Sequence, residues 1–427
     1  MILHYPGGGL DRSINMTDLQ IKDPAMDRYH SLSLSSAWEL TKLRKAIALV
    51  VGAGALGNEV AKNLAMMGVA LIVVLDRDTV EVANLSRSVF FRESDHGRLK
   101  AEVICERVKE LNPDVRVQPL AGDLDEALGL GVVRRADIIF SCLDSRLARR
   151  SLNRLCEKAG KPWVDGAMEN LQGEVGAYLP GLGACYECRL SESARAALAE
   201  AASCRGIALR NLSRGKVPTT STMGSIIAAL QVQEAVKMLH GDFKNALAGK
   251  RLVVNCTIND FYISESERKT HCPGHFRYGE ITETRSFQAR STTAADLMTR
   301  FAQEYKQEGA VDLGREIVVS LRCGTCNKTE ELGQPLRMVG EEAARCPACK
   351  QLRQPETTHI VLPKESRAEW PLAKLGIPKL DVLQVVGAGA TAWYEMTGDL
   401  DSYPGLERET AVSEEQLQPA TVREAAA

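Results

Sequence analysis

The stretch Gly52-Ala-Gly-Ala-Leu-Gly57 decides the fold of this chain. It follows an apolar, β-branched run, residues 47–51, and precedes a segment of helical periodicity, residues 58–67. A strand, a glycine turn and a helix make the first half of a Rossmann-type unit, in which the backbone approaches phosphate and the helix N-terminus supplies N–H donors. We therefore predict a nucleotide-binding turn, against the alternative of a tight turn without a ligand. Its glycines are Gly52, Gly54 and Gly57.

The polar residues after the turn narrow the choice of nucleotide. A second predicted strand, residues 71–75, ends at Asp76, and a carboxylate there suits the two hydroxyls of a ribose. An amide and two cations follow, and three such groups are more than a pyrophosphate bridge requires, so the sequence favours ATP over a dinucleotide. These three residues are Asn84, Arg87 and Lys100.

A further carboxylate indicates a magnesium site. The predicted strand 137–142 leads to Asp144, at the end of a strand and opposite the glycine turn. Oxygen ligands of this kind are those that Mg²⁺ prefers, and the strand end is where α/β sheets bind ligands. We predict that Asp144 holds Mg²⁺ beside ATP.

The chain from about residue 26 to 278 resembles the ThiF/MoeB/HesA-type superfamily, which has the fold of ubiquitin-activating enzymes. In that family the segment DxDxVxxxNLxR follows the glycine turn, and LDRDTVEVANLSR at 75–87 matches it. The resemblance implies that Asp76 holds the ribose and that Asp144 holds Mg²⁺. It implies that the phosphates are held by Asn84, Arg87 and Lys100. We include Asp78, the second carboxylate of the segment, in the predicted ATP site.

The same resemblance implies a reaction and partners. Family members adenylate the C-terminal glycine carboxylate of a ubiquitin-like or sulfur-carrier protein of the β-grasp fold. Some then form a thioester on a cysteine and pass the acyl group to a conjugating-enzyme-like protein, and relatives with one such domain form homodimers. One departure concerns the family segment RYxRQ, whose second arginine reaches the partner subunit's ATP. Ser31 stands in that place, so only Arg28 remains for the role.

Two other functions compete with this reading. An NAD-dependent oxidoreductase would use the same glycine turn, but the cations after Asp76 and the lack of an obvious substrate histidine disfavour it. A non-catalytic zinc-ribbon scaffold is disfavoured by the intact phosphate-binding set.

Composition excludes several classes of protein. The chain has 427 residues and a net charge of −2, which argues against a broad nucleic-acid surface. No apolar run approaches the roughly twenty residues of a membrane span, and the N-terminus lacks the pattern of a secretory signal. Twelve cysteines, many in CxxC pairs, fit zinc in a reducing cytoplasm better than a disulfide framework. We expect a cytoplasmic protein without membrane or nucleic-acid partners.

The order of patterns along the chain predicts an α/β fold. Strand and helix patterns alternate to about residue 170, which indicates a Rossmann-like, mostly parallel sheet with helices on both faces, and a small zinc-ribbon-containing domain follows. We predict an N-terminal arm at 1–25, an adenylation domain with a zinc knuckle at 26–278, a linker at 279–292, a zinc-ribbon domain at 293–403 and a flexible tail at 404–427.

Two sets of metal ligands are expected, each for one structural zinc ion. Tetrahedral zinc accepts three thiolates and one imidazole, and it also accepts four thiolates from two CxxC pairs about twenty residues apart. For the first set, the alternatives are that His271 is the fourth ligand or that no metal is bound. The first set is Cys185, Cys188, Cys272 and His275; the second is Cys323, Cys326, Cys346 and Cys349.

Cys204 is the candidate for a thioester-forming thiol. It sits in a polar segment, Ala-Ser-Cys-Arg-Gly, with Arg205 and Arg210 near in sequence to lower its pKa. The alternative is an exposed bystander. The four other spare cysteines lie in apolar patterns and read as small core residues. They are Cys105, Cys142, Cys156 and Cys256.

Overall fold

A computed structural model describes residues 28–35, 38–202 and 218–407. The helices are α1 His30–Ser33, α2 Leu40–Leu43, α3 Ala55–Met67, α4 Lys100–Leu111, α5 Leu124–Ala127, α6 Leu130–Arg135, α7 Arg146–Ala159, α8 Glu192–Ala202, α9 Ser221–Leu239, α10 Ala294–Tyr305 and α11 Glu341–Ala344. The strands are β1 Ile47–Val51, β2 Leu71–Asp76, β3 Arg116–Ala121, β4 Ile138–Ser141, β5 Trp163–Glu169, β6 Gln172–Tyr178, β7 Arg251–Asn255, β8 Asp260–Ser264, β9 Ile281–Glu283, β10 Gly309–Arg322, β11 Thr329–Pro335, β12 Gln354–Val361, β13 Val382–Gly387 and β14 Thr391–Glu395.

The first sheet has eight strands in the order β3-β2-β1-β4-β5-β6-β7-β8. The pairs from β3 to β5 are parallel, and those from β5 to β8 are antiparallel. Strand order reverses between β1 and β4, and the crevice outside the carboxyl ends of such strands is where open α/β sheets bind ligands. The predicted α/β class, with a mostly parallel sheet, is confirmed.

Helices cover both faces of this sheet, because the side chains of β1 alternate between two apolar cores. Ala48 and Val50 pack in one core with α3, α4 and α9. Ile47, Leu49 and Val51 pack in the other, with α6 and α7. The long helix α9 begins at a capped residue, Thr220, whose hydroxyl accepts a hydrogen bond from the Met223 N–H. Among the described residues, no helix combines the length and apolar character that crossing a membrane requires.

The second sheet follows the first along the chain. Its order is β11-β10-β13-β14-β9, with β12 also paired to β10. β9 lies inside the segment predicted as a linker and pairs in parallel with β14. α10 closes this sheet through Leu297 and Phe301, which share a core with Val311 and Tyr394. The predicted domain limits stay a prediction.

The two sheets are joined by an apolar contact. Leu380, Leu400 and Leu406 lie in the same core as the β1 residues that face α6 and α7. Backbone bonds fix the contact, because the Gly131 N–H donates to the Leu380 carbonyl at 2.8 Å. A Cβ on Gly131 would lie 2.5 Å from that oxygen, so only glycine permits the approach.

Buried charges complete the contact between the sheets. Arg134 and Arg135, at the end of α6, both pair with Glu395 of β14. The side chains of Arg135 and Glu395 are fully buried. Burial, together with the neighbouring Arg135, lowers the pKa of Arg134 to about 10. Glu283, which lies 3.9 and 3.4 Å from the two guanidinium groups, acts in the opposite direction on the pKa of both arginines.

We expect Glu395→Ala to destabilise the chain by about 3–5 kcal/mol, because it removes the buried carboxylate of two buried arginines and leaves them only Glu283, which is partly exposed and lies 3.9 and 3.4 Å away. Urea unfolding of purified protein measures the change. Glu265→Ala is the control: its pair with Lys250 is exposed on both sides, and such pairs contribute about 0–1 kcal/mol. Equal effects of the two substitutions would contradict the role given to Glu395.

Candidate functional site

The glycine turn lies at the carboxyl end of β1, in close packing. The Gly52 N–H donates to the Leu75 carbonyl at 2.8 Å, and its φ is +101°. A Cβ on Gly52 would lie 2.5 Å from the Cys142 carbonyl oxygen, and one on Gly57 only 1.9 Å from the Gly52 oxygen. The packing of the chain itself therefore requires two of the three glycines. Gly54, at the N-cap of α3, has open space on its Cβ side, which leaves room for a ligand.

Asp76 lies at the end of β2 and is fixed by two backbone donors. The Ala53 N–H donates to Oδ2 at 2.6 Å, and the Asp78 N–H donates to Oδ1 at 2.7 Å. Burial raises the pKa of Asp76, while these donors and Lys100 act in the opposite direction. Each carboxylate oxygen keeps a second lone pair, so the group can still accept from ribose hydroxyls.

Each predicted phosphate ligand has a defined local partner. Lys100 begins α4, and its Nζ lies 3.2 Å from the Asp78 carboxylate. The Lys100 side chain is 11% exposed, against 53% for Asp78, so one face of this pair opens to solvent. Arg87 and Asn84 bond within their own loop. The Arg87 guanidinium donates to the Ala83 carbonyl, and Asn84 Oδ1 accepts from the Glu81 N–H.

Asp144 is exposed in the loop between β4 and α7. Hydrogen bonds among buried or partly buried side chains hold this loop in place. Arg149 donates to the Leu143 carbonyl and, at 3.0 Å, to the Asp165 carboxylate. The Ser141 hydroxyl donates to the same Asp165 oxygen at 2.7 Å. Burial raises the pKa of Asp165, and Arg149 opposes that shift.

Neither this network nor one buried amide is predicted from the sequence patterns above. The network nevertheless has a signal in the sequence. Its signal was a carboxylate inside an apolar strand, Asp165, since a buried charge needs a partner. Asn58, in the first turn of α3, is the other missed residue and is fully buried. It bonds both the glycine turn and the Phe90 N–H.

The first predicted metal set comes together at one point. Its four ligand atoms lie within 4.8 Å of one another. Cys185 Sγ is 3.7 Å from the Sγ atoms of Cys188 and Cys272, and Cys188 Sγ is 3.2 Å from His275 Nε2. Zn–S bonds of about 2.3 Å in a tetrahedron place two sulfurs about 3.8 Å apart, so the spacing fits zinc. The fourth member of the group is His275 and not His271.

The second set comes together on two knuckles of the same build. In each knuckle, the backbone carbonyl of the first cysteine accepts a hydrogen bond at 2.9 Å from the N–H of the residue four positions later. These donors are Asn327 and Lys350. Both of these residues have positive φ. Cys323 Sγ and Cys349 Sγ are 3.5 Å apart, within a group of four thiols that fits tetrahedral metal coordination. The other members are Cys326 and Cys346.

The structure describes four of the five cysteines outside the two metal groups. Three are buried, and burial raises the pKa of Cys105 to about 12 and also raises that of Cys142 and Cys156. Cys256 is half-buried. Cys204 lies outside the described residues.

Arg28 lies away from the glycine turn of its own chain. Its guanidinium donates to the Leu111 carbonyl, at the end of α4 opposite to Lys100. Twelve residues of helix separate these ends by about 18 Å. Ser31 is exposed in α1.

A model of the ThiF family matches residues 27–274, more than half of the chain. The chain belongs to the ThiF family. The matched range contains the glycine turn and three members of the first metal group, whereas the second metal group lies beyond it.

Two relatives found by sequence support this membership. The SAMP-activating enzyme E1 of Haloferax volcanii is 32% identical over 238 residues, covering 54% of this chain and 81% of that protein. The sulfur carrier protein adenylyltransferase of Thermus thermophilus is 32% identical over 262 residues, covering 58% of this chain and 90% of that protein. Among solved structures, E. coli MccB with AMPCPP and MccA is 26% identical, with 58% of this chain and 74% of MccB covered and a TM-score of 0.48. Of some longer relatives the match covers only 25% to 32%.

We expect elemental analysis of the purified protein to find two zinc ions per chain, because both groups have the ligand number and spacing of tetrahedral zinc. Cys349→Ser should lower the count to one. Cys256→Ser, which changes a cysteine outside both groups, should leave two. A single equivalent or none in the unaltered chain would show that at least one group does not hold zinc.

Proposed function

We propose that the chain uses ATP to adenylate the C-terminal carboxylate of a ubiquitin-like or sulfur-carrier protein. One observation carries the proposal: a half-buried carboxylate, Asp76, is tied to the glycine turn and lies near a buried cation, Lys100. This arrangement offers a ribose acceptor, helix N–H donors and a positive charge at one strand edge. Two relatives that the chain matches over most of their length are named as an activating enzyme and an adenylyltransferase.

Each residue has a defined part in the proposed reaction. The partner's carboxylate attacks the α-phosphate of ATP in line, a P–O bond forms, and pyrophosphate leaves. Lys100 and Arg87 offset the charge that develops on the phosphate oxygens, and Asn84 donates to them. Asp76 fixes the ribose, and Asp78 orients Lys100 through their ion pair. No proton has to be moved from the attacking carboxylate, so positioning carries most of the catalysis.

Asp144 is proposed to hold Mg²⁺. A bound Mg²⁺ would supply charge stabilisation for the departing pyrophosphate. The exposed carboxylate and its fixed loop suit this role, because Arg149 anchors the Leu143 carbonyl next to it.

We also propose a homodimer. Arg28 is exposed and lies at the Leu111 end of α4, away from its own glycine turn, which is compatible with a role at a partner subunit's ATP. Light scattering at micromolar concentration measures the state, and a monomer would contradict it.

The nucleotide is tested by calorimetry with ATP and NAD. We expect ATP to bind and NAD not to bind, because the cations after Asp76 suit a triphosphate. Asp144→Ala should still bind ATP but lower the partner-dependent exchange of pyrophosphate into ATP at least about tenfold, through loss of charge stabilisation. Asp401→Ala, an exposed carboxylate of the second sheet unit, is the control. Tight NAD binding without ATP binding would favour an oxidoreductase and contradict the proposal.

The fate of the acyl group is tested at Cys204, which we propose as the thioester-forming thiol. Cys204→Ala should still make the acyl-adenylate but form no reductant-sensitive adduct with the partner protein. Cys256→Ala should keep the adduct. An adduct that survives the change at Cys204 would assign the thiol elsewhere, and no adduct in the unaltered chain would indicate direct transfer to another protein.

A further inference from the structure

The side-chain amide of Asn58 hydrogen-bonds two separate segments of the nucleotide site. It lies in the first turn of α3 and is fully buried. Its Nδ2 donates to the Ala53 carbonyl at 3.1 Å and to the Gly54 carbonyl at 2.9 Å. Its Oδ1 accepts from the Phe90 N–H at 3.0 Å. Both amide hydrogens and one oxygen lone pair are therefore used.

These contacts link the glycine turn to the segment that carries Arg87. Ala53 and Gly54 belong to the turn. Phe90 follows Arg87 by three residues, and turn bonds on each side, Arg87 N–H to the Asn84 carbonyl and Phe91 N–H to the Ser88 carbonyl, keep the segment compact. The Phe90 side chain is itself buried, so the segment is anchored in the core at this point.

We propose that Asn58 is a positioning residue for ATP, which sets the distance between the glycine turn and Arg87. The inference rests on the proposed function. The amide holds the Ala53 carbonyl and, together with the Asn58 backbone N–H, the Gly54 carbonyl inside the protein. The unpaired N–H donors at the start of α3 are thereby left for the phosphates. A carbonyl turned the other way would face phosphate oxygen and weaken binding.

An aspartate tests this role, because it has the same shape and no N–H donors. In the Asn58→Asp variant, a carboxylate faces the carbonyl oxygens of Ala53 and Gly54. The substitution therefore breaks the link to the turn and leaves the side-chain volume unchanged. Any buried asparagine would lose stability on this change, so the measurement needs a control with an equal structural cost.

Asn112 supplies that control. It is also fully buried and also makes three side-chain bonds. Its Nδ2 donates to the Ala65 carbonyl and to the Tyr29 hydroxyl, and its Oδ1 accepts from the Asp114 N–H. Ala65 belongs to α3 as well, but at the end far from the glycine turn.

The experiment compares the full chain with Asn58→Asp and Asn112→Asp. We expect both variants to lower the melting temperature, but only Asn58→Asp to raise the Kd for ATP at least about tenfold, with Asn112→Asp within about twofold of the unaltered chain. If the aspartate variants do not fold, Asn58→Ser and Asn112→Ser provide a second pair, since serine is too short to join the turn to Phe90.

Several results would overturn the inference. ATP affinities that shift equally in the two members of a pair would leave Asn58 a merely structural residue. Fast hydrogen exchange of the Phe90 amide in the unaltered chain would show that the link is absent, even if no variant folds. An unaltered chain that binds no ATP would overturn the proposed function as well, whereas ATP binding that is unchanged by the Asn58 substitutions would overturn the inference alone.

Discussion

The close approach of the glycine turn to the end of β4 is the constraint on which the site depends. A Cβ at Gly52 would collide with the Cys142 carbonyl, and a Cβ at Gly57 would collide with Gly52 itself. The turn is therefore pressed between two strand ends and the first turn of α3. This packing brings the Ala53 N–H to Asp76, and it sets the starting point of α3. The Asp76 carboxylate and the N–H donors of α3 therefore owe much of their relative position to backbones in contact.

Helix α7 extends the same framework to the first metal group. Its N-cap, Ser145, is next to the candidate Mg²⁺ ligand, and Asn153 and Arg154 lie roughly 12–13 Å further along it. Asn153 Oδ1 accepts from the Tyr186 N–H inside the knuckle. Arg154 makes two bonds, at 2.7 and 3.0 Å, to the buried carboxylate of Glu187. One helix thus connects the loop of Asp144, at its start, with the first metal group, which contacts its middle, and residues near a metal commonly hold its ligands in this way.

Local patterns in the sequence were enough to predict the parallel strands, the glycine turn and both cysteine groups. Each of these depends on neighbours a few residues apart, such as the CxxC spacing or the run Ile47–Val51 before the turn. What the patterns could not reveal are pairings between distant segments. Arg135 and Glu395 are 260 residues apart, and Arg149 reads as one more polar position of an amphipathic helix. Periodicity identifies which face of an element is buried, but it does not identify the partner that a buried charge will find.

The second metal group takes its orientation from strand β10. This strand runs for 14 residues and ends immediately before Cys323. Near its middle, Arg315 donates to the Asp125 carbonyl of α5 and pairs with Asp381 at 2.7 Å, while Asp381 accepts from the Leu130 N–H. These bonds hold the middle of β10 on the first sheet, and between there and Cys323 the pairing of β10 with its neighbours shifts register at Val318–Ser320. The group's own region is poor in apolar residues, with a core of four buried side chains, so four metal bonds would supply cohesion that hydrophobic burial there does not. The metal would hold the tip together, and the contacts of Arg315 and Glu395 would hold the base of the unit on the nucleotide-binding sheet.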